Sequence, residues 1–267
     1  MSEYIFEKNE AERELGRLRL IETAVDADTI ALLEQTGVAP GWRCLELGAG
    51  AGSIVDWLGS RVGANGKVWA IDKKAAYLHR FSASPYSVIE GEFLNVMIEE
   101  KVDLLHARYV LIHNKQAGEM LKQMRAIVKP GGYVVLEEPD FTSAMLLNPT
   151  SDAAQQRVNE SICRMFTNAG LDPAYGVTLA RRVVEAGFTV VEAKGTMHLC
   201  RGLDPIANVM AESALVLRGA YRNTGIVTDQ DIDRYVMHAR DPERWSLYYS
   251  TFSVIARARE EREPCSL

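Results

Sequence analysis

The chain has 267 residues, a formal net charge of −6 and 47% hydrophobic side chains, a length and balance that suit one α/β domain with an insertion or a small cap. Its charges are mixed in sign and form no basic block, which argues against nucleic-acid substrates. Cys44, Cys163, Cys200 and Cys265 show no CxxC spacing and no His-x-x-x-His accompanies them, so neither a metal site nor a disulfide framework is signalled. No apolar run reaches the length of a membrane span, and residues 1–11 are polar and acidic where a secretory signal is apolar, which points to a cytoplasmic protein away from membranes.

Residues 8–22 carry Leu15, Leu18 and Ile21 at three-residue steps, and 27–36 repeats the pattern, so two amphipathic helices are expected as an N-terminal helical cover over 1–37. A strand, a glycine turn and a helix follow over 42–60. A second strand at 67–72, a helix at 74–81 and a short strand at 87–89 complete a βαβαβ run. A fourth strand lies at 102–107. The helix at 115–128 stops at Lys129-Pro130-Gly131-Gly132, and a fifth strand runs over 133–137. This alternation predicts a doubly wound, mostly parallel sheet spanning a core over 38–141, with ligands beyond the carboxyl ends of its strands. After Asp140 the rhythm changes to helices at 152–169, 177–186 and 204–222 around a strand at 188–198. These read as helical lid insertions over 142–247, before a final strand and tail at 248–267.

The densest signal is Leu45-Glu46-Leu47-Gly48-Ala49-Gly50-Ala51-Gly52-Ser53. Glycine permits positive φ and removes the Cβ wall, so a strand can turn sharply into a helix whose first N–H groups face a ligand. A dinucleotide site wants G-x-G-x-x-G, but the sixth position here is Ser53, so that fingerprint fails and an NAD enzyme rests on fold analogy alone. A second apolar run ends in Asp72 about twenty residues after the glycines, the spacing of a ribose-binding acid.

Glycines at 48, 50 and 52 after Glu46 resemble motif I of the class I S-adenosylmethionine-dependent methyltransferases, a resemblance covering roughly 40–140. It implies S-adenosylmethionine as cofactor and a seven-stranded sheet whose antiparallel edge pairs 188–198 with 248–257. It also implies that Gly48, Ala49, Gly50 and Gly52 line the methionine and ribose, with Glu46 near the amino group. Asp72 is expected on the ribose hydroxyls, Lys73, Glu92 and Phe93 at the adenine, and Ala107 and Arg108 beside the methionine part. Tyr4 and Phe6, with Arg17 and Arg19, are candidates to close over the cofactor.

Methyl transfer from a sulfonium is an in-line displacement that depends on positioning and water exclusion, with no metal or covalent nucleophile required. His113, on the cofactor side of the sheet, is the candidate general base because an imidazole titrates near working pH. His106, inside a strand pattern, is expected to be structural. Glu138 and Asp140, in the acid cluster after the fifth strand, and His198 are candidate substrate contacts. Met145, Met165, Met197 and Met210 with Phe141, Phe166 and Tyr221 give the lid an adaptable apolar lining. The reading is methyl transfer to oxygen, nitrogen or carbon of a small apolar or aromatic acceptor, as in natural-product tailoring. The alternative is a non-methylating S-adenosylmethionine or S-adenosylhomocysteine binder, a cyclase or regulatory protein. The partner expected is a small-molecule acceptor, and the cover and lid leave room for a homodimer.

Overall fold

The computed structural model describes residues 11–146 and 153–260. Its sheet contains β1 (Arg43–Leu47), β2 (Lys67–Asp72), β3 (Tyr86–Glu90), β4 (Val102–Arg108), β5 (Val128–Asp140), β6 (Phe188–Arg201) and β7 (Trp245–Ala258), in the order β3-β2-β1-β4-β5-β7-β6. β1 to β5 are parallel, and β7 runs antiparallel between β5 and β6. Val68, Ala70, Leu104, Leu105, Val134 and Val135 are fully buried, as expected where helices cover both faces of a parallel sheet. Strand order reverses between β1 and β4, and the crevice beyond their carboxyl ends is where an open α/β sheet takes its ligand.

Helices α1 (Ala11–Glu34), α2 (Ser53–Val62), α3 (Ala117–Ile127), α4 (Ala153–Asn168), α5 (Tyr175–Glu185), α6 (Pro205–Val216), α7 (Arg218–Arg222) and α8 (Asp229–Ala239) complete the fold. α1 is one helix where two were expected, because no proline or glycine interrupts 22–27 and Val25 is buried between the two apolar stretches. The segment expected as a helix at 74–81 forms only a 3₁₀ turn at Ala75–Tyr77. Here the Asp72 and Glu90 carboxylates take the N–H groups of Lys74 and Ala75, each at 2.9 Å. The helix expected at 204–222 breaks at Leu217 into α6 and α7. α8 was not expected; Thr228 and Asp231 start it with a reciprocal capping box. Within 142–247, α5 lies against β5, β6 and β7 as part of the sheet's cover, whereas α4, α6, α7 and α8 pack on one another and α6 meets α1.

The entry to α2 is tightly constrained. Gly52 has φ +93, and a Cβ there would lie 2.5 Å from the Phe81 ring and 3.0 Å from Leu78. Gly52→Ala is expected to cost about 2–3 kcal/mol through combined strain and overpacking, read as a lowered midpoint in urea denaturation.

Candidate active site

After β1 the chain turns through Gly48, Gly50 and Gly52, with φ of +72, +54 and +93. A side chain at Gly48 would bring its Cβ to 2.4 Å from Val110, so the bare backbone is required both for its conformation and for close approach. Asp72 ties the turn to β2: Gly50 N–H donates to Oδ2 at 2.9 Å, and Lys74 N–H donates to Oδ1 at 2.9 Å. Burial lifts the Asp72 pKa above the ordinary carboxylate value, opposed by these two donors. From α1, Glu22 accepts the Ser53 N–H at 2.9 Å and so caps α2.

One cavity opens around this turn. On the glycine side it is lined by Glu46, Gly48, Ala49, Gly50, Asp72, Lys73, Glu92, Phe93 and Arg108. On the helical side it is lined by Phe141, Ile162, Met165, Phe166, Val209, Met210, Leu217, Tyr221 and Tyr249, with Glu14 and Arg17 entering from α1. His113 also lines it, its ring 5.7 Å from that of Phe166. Glu92 stands 3.6 Å from Lys73.

Several expected residues lie elsewhere. Gly52 shapes the turn from beneath, against Phe81 and Leu78, and Ala107 is fully buried in β4, so neither lines the cavity. Glu138 is wholly buried, and its carboxylate accepts the N–H groups of Val110, Leu111 and Ile112 at 3.0, 2.7 and 3.0 Å. That cap holds the 3₁₀ turn Leu111–His113, so Glu138 places His113 instead of meeting a ligand. Burial pushes the Glu138 pKa up to about 8 in spite of the three donors. The Asp140 carboxylate caps Thr142, N–H to Oδ1 at 2.9 Å, and does not line the cavity. His198, half-buried on β6, places Nε2 3.1 Å from Thr251 Oγ1 and does not line the cavity. Arg19, Met145 and Met197 are likewise absent from the lining, and Tyr4 and Phe6 lie outside the described residues.

His113 is under unusual electrostatics. Burial, then the positive charges of Arg17 and Lys73, push its pKa down to about 3, so the imidazole is neutral at physiological pH. Among the described residues no group of three or more His, Cys, Asp or Glu is arranged to hold a metal ion. No helix among them is long and apolar enough to cross a membrane.

Beneath the glycine turn lies a buried ionic cluster. Registers Glu46↔His106 and Arg108↔Glu137, with alternation along each strand, bring these four side chains to one face. His106 Nδ1 is 2.7 Å from Glu46 Oε2 and Nε2 is 3.2 Å from Glu137 Oε1. Thr29 of α1 donates to Glu137 at 2.7 Å, and Arg108 meets Thr29 at 2.8 Å and Asp26 at 2.9 Å. Burial opposes charge on His106, yet the two glutamates push its pKa up to about 9. Burial likewise works to raise the Glu137 carboxyl, but its bonds to His106 hold it below the ordinary value. Glu46, expected to meet the cofactor amino group, therefore has one oxygen committed to His106 while it lines the cavity.

The cavity residues missed by sequence reading come from α1, α4, α6 and β7, whose approach depends on tertiary docking. Glu14, Leu18, Ile162, Val209, Ser213 and Tyr249 are of this kind. Tyr109, at φ +57, is an uncommon left-handed non-glycine residue, a feature that sequence does not display.

With this geometry in place, comparison with known proteins becomes informative. A family model described as a methyltransferase domain matches residues 7–193. An uncharacterized 37.1 kDa protein in transposon TN4556 of Streptomyces fradiae is 26% identical over 222 residues, covering 80% of this chain and 59% of that protein. A ubiquinone/menaquinone biosynthesis C-methyltransferase of Cupriavidus taiwanensis is 25% identical over 114 residues, 40% of this chain and 46% of that enzyme. The chain thus spans about half the length of these curated relatives. Among solved structures, the [4+2]-cyclase SpnF superposes with a TM-score of 0.57 at 14% identity, covering 88% of this chain and 81% of its own, a likeness of fold.

The ionic cluster makes stability depend on pH. The folded-state pKa of His106 is raised from 6.5 to about 9, so its contribution is full below the unfolded value and is lost as pH rises through the folded one. Urea denaturation should show stability falling by about 3 kcal/mol over that window. The His106 share of that fall should be absent in His106→Gln, which should itself be less stable because it removes the cation that lies between two buried carboxylates.

Proposed function

The chain belongs to the methyltransferase-domain family, and on that premise we propose that it transfers the methyl group of S-adenosylmethionine to a small, apolar or aromatic acceptor. The observation that carries this reading is the single cavity joining a glycine-turn side, with Asp72, to an apolar side built by α4, α6 and β7. The first has the features a nucleoside and amino-acid moiety needs: a backbone stripped of Cβ at Gly48, a carboxylate for hydroxyl pairs and an apolar ring at Phe93. The second offers Met165, Phe166, Met210 and Tyr221, soft and aromatic surfaces that suit an apolar body.

The residues present fit the cofactor. Asp72 would hold the ribose hydroxyls, Phe93 and Glu92 the adenine, and the Gly48–Gly50 backbone with Glu46 the amino-acid part. When bound, the cofactor supplies an electrophilic methyl carbon on a sulfonium. The protein contributes position and dryness: α1 lies across the cavity, and the Glu138-capped turn fixes the His113 ring against Phe166. An imidazole whose pKa is pushed down to about 3 holds a proton too weakly to store one taken from an acceptor. His113 therefore acts as a hydrogen-bond partner that orients the acceptor.

Calorimetric titration with S-adenosylhomocysteine should give binding where NAD gives none. Asp72→Ala should weaken that binding by about 1–3 kcal/mol, and an unchanged Kd would remove Asp72 from the ribose. His113→Ala should lower turnover by roughly tenfold or more while leaving S-adenosylhomocysteine affinity in place. Full activity would return His113 to a packing role.

A further inference from the structure

The apolar wall of the cavity carries a phenol whose hydroxyl the fold leaves unpaired. Ser213, Leu217 and Tyr221 stand at four-residue steps. Leu217 N–H donates to the Ser213 carbonyl at 2.8 Å and Tyr221 N–H to the Leu217 carbonyl at 2.9 Å, which carries that spacing across the break between α6 and α7. The three side chains therefore share one line, and all three line the cavity. The backbone of Tyr221 is pinned, its carbonyl accepting the Ser161 hydroxyl of α4 at 3.0 Å and the Thr224 hydroxyl at 2.6 Å. Tyr221 is only 2% exposed, yet among the described residues its hydroxyl makes no hydrogen bond. It also keeps accessible surface, unlike the sealed hydroxyls of Tyr175 and Tyr235, and in a buried residue of the lining that surface opens into the cavity. Burial raises the phenol pKa and outweighs the opposite pull of Arg17, so the hydroxyl keeps its proton and is a donor.

Resting on the methyl-transfer reading above, we propose that Tyr221 is a specificity residue that donates a hydrogen bond to an uncharged oxygen of the acceptor, such as a ketone carbonyl on its apolar or aromatic body. Three features carry this. A buried hydroxyl without a partner is destabilising, and the cavity is the side from which a partner can reach this one. A phenol on a pinned backbone has two side-chain torsions to fix, so little ordering accompanies ligand binding. The wall around it, Phe166, Met210 and Leu217, is apolar and would strip the hydration from an ion. The cation that acts on Tyr221, Arg17, is already held by Glu14 through bonds of 2.9 and 2.6 Å, so an ionised oxygen finds little compensation there. An uncharged oxygen loses less hydration and gains the phenol's bond. A hydrocarbon of the same shape would leave the phenol unpaired, and that difference is the discrimination.

The test is calorimetry on protein saturated with S-adenosylhomocysteine, titrated with acetophenone and with 2-phenylpropene, an isostere in which a methylene replaces the carbonyl oxygen. Tyr221→Phe should weaken acetophenone binding by roughly five- to tenfold and leave 2-phenylpropene as tight as in wild type or tighter. Comparing each probe between the two proteins cancels the greater hydrophobicity of the hydrocarbon. Acetophenone labelled with ¹³C at the carbonyl should show a downfield displacement of that resonance on binding wild type, and the variant should lose it. Because the hydroxyl has no protein partner, the urea midpoint of the ligand-free variant should not fall, and its binding of S-adenosylhomocysteine reports its folding. Failure of acetophenone to bind wild type, unchanged acetophenone affinity in the variant, an equal loss for both probes or a lowered urea midpoint would overturn the assignment. Failure of S-adenosylhomocysteine to bind wild type would instead overturn the cofactor reading on which it rests.

Discussion

A buried imidazolium between two carboxylates ties the architecture together. Glu46 of β1, His106 of β4 and Glu137 of β5 meet at the centre of the sheet, across the place where strand order reverses. Removing these groups from water is costly, and each is offset by a partner of opposite charge or by a hydrogen bond to Thr29. The cluster therefore constrains where β1 and β4 end, and so where the glycine turn and the Arg108–Val110 segment open. Through Thr29, Asp26 and Arg108 it also fixes α1 across the cavity. The helix that supplies Glu14, Arg17 and Glu22 to the site is docked by the same cluster that holds the strands.

Above that anchor, the site divides its work by polarity. The glycine-turn side presents N–H groups and carboxylates, held by the bonds from Gly50 and Lys74 to Asp72. The helical side presents methionines and rings. Glu138 links the two without touching either: capping three successive N–H groups, it fixes the turn that carries His113. A buried acid that looks like a substrate contact is a positioning device, and the histidine it positions is kept neutral by burial and by Arg17 and Lys73.

What sequence made legible follows from the range of the forces involved. The strands, the glycine turn and Asp72 were readable because glycine conformations and apolar runs act over a few residues. The antiparallel pairing of β6 with β7 also agreed with expectation, though both strands run longer than their apolar patterns suggested. The continuity of α1 was hidden because its polar middle looks like a linker, and only packing of Val25 reveals it. α8 could have been found from Thr228-x-x-Asp231, a capping-box spacing. Glu137 and Glu138 looked alike in the acid cluster, yet adjacent strand residues face opposite sides: one joins His106 and the other caps the His113 turn. Alternation was legible, but the partner on each side was not. The cavity wall from α4, α6 and β7 depends on docking between distant segments, which a single sequence does not display.

The most direct test of this account is a crystal structure of the chain with S-adenosylhomocysteine. The account requires ribose hydroxyls on the Asp72 carboxylate, adenine against Phe93 and the sulfur turned toward the chamber that holds Arg17 and His113. Density for the ligand outside this cavity, or a ribose away from Asp72, would contradict it.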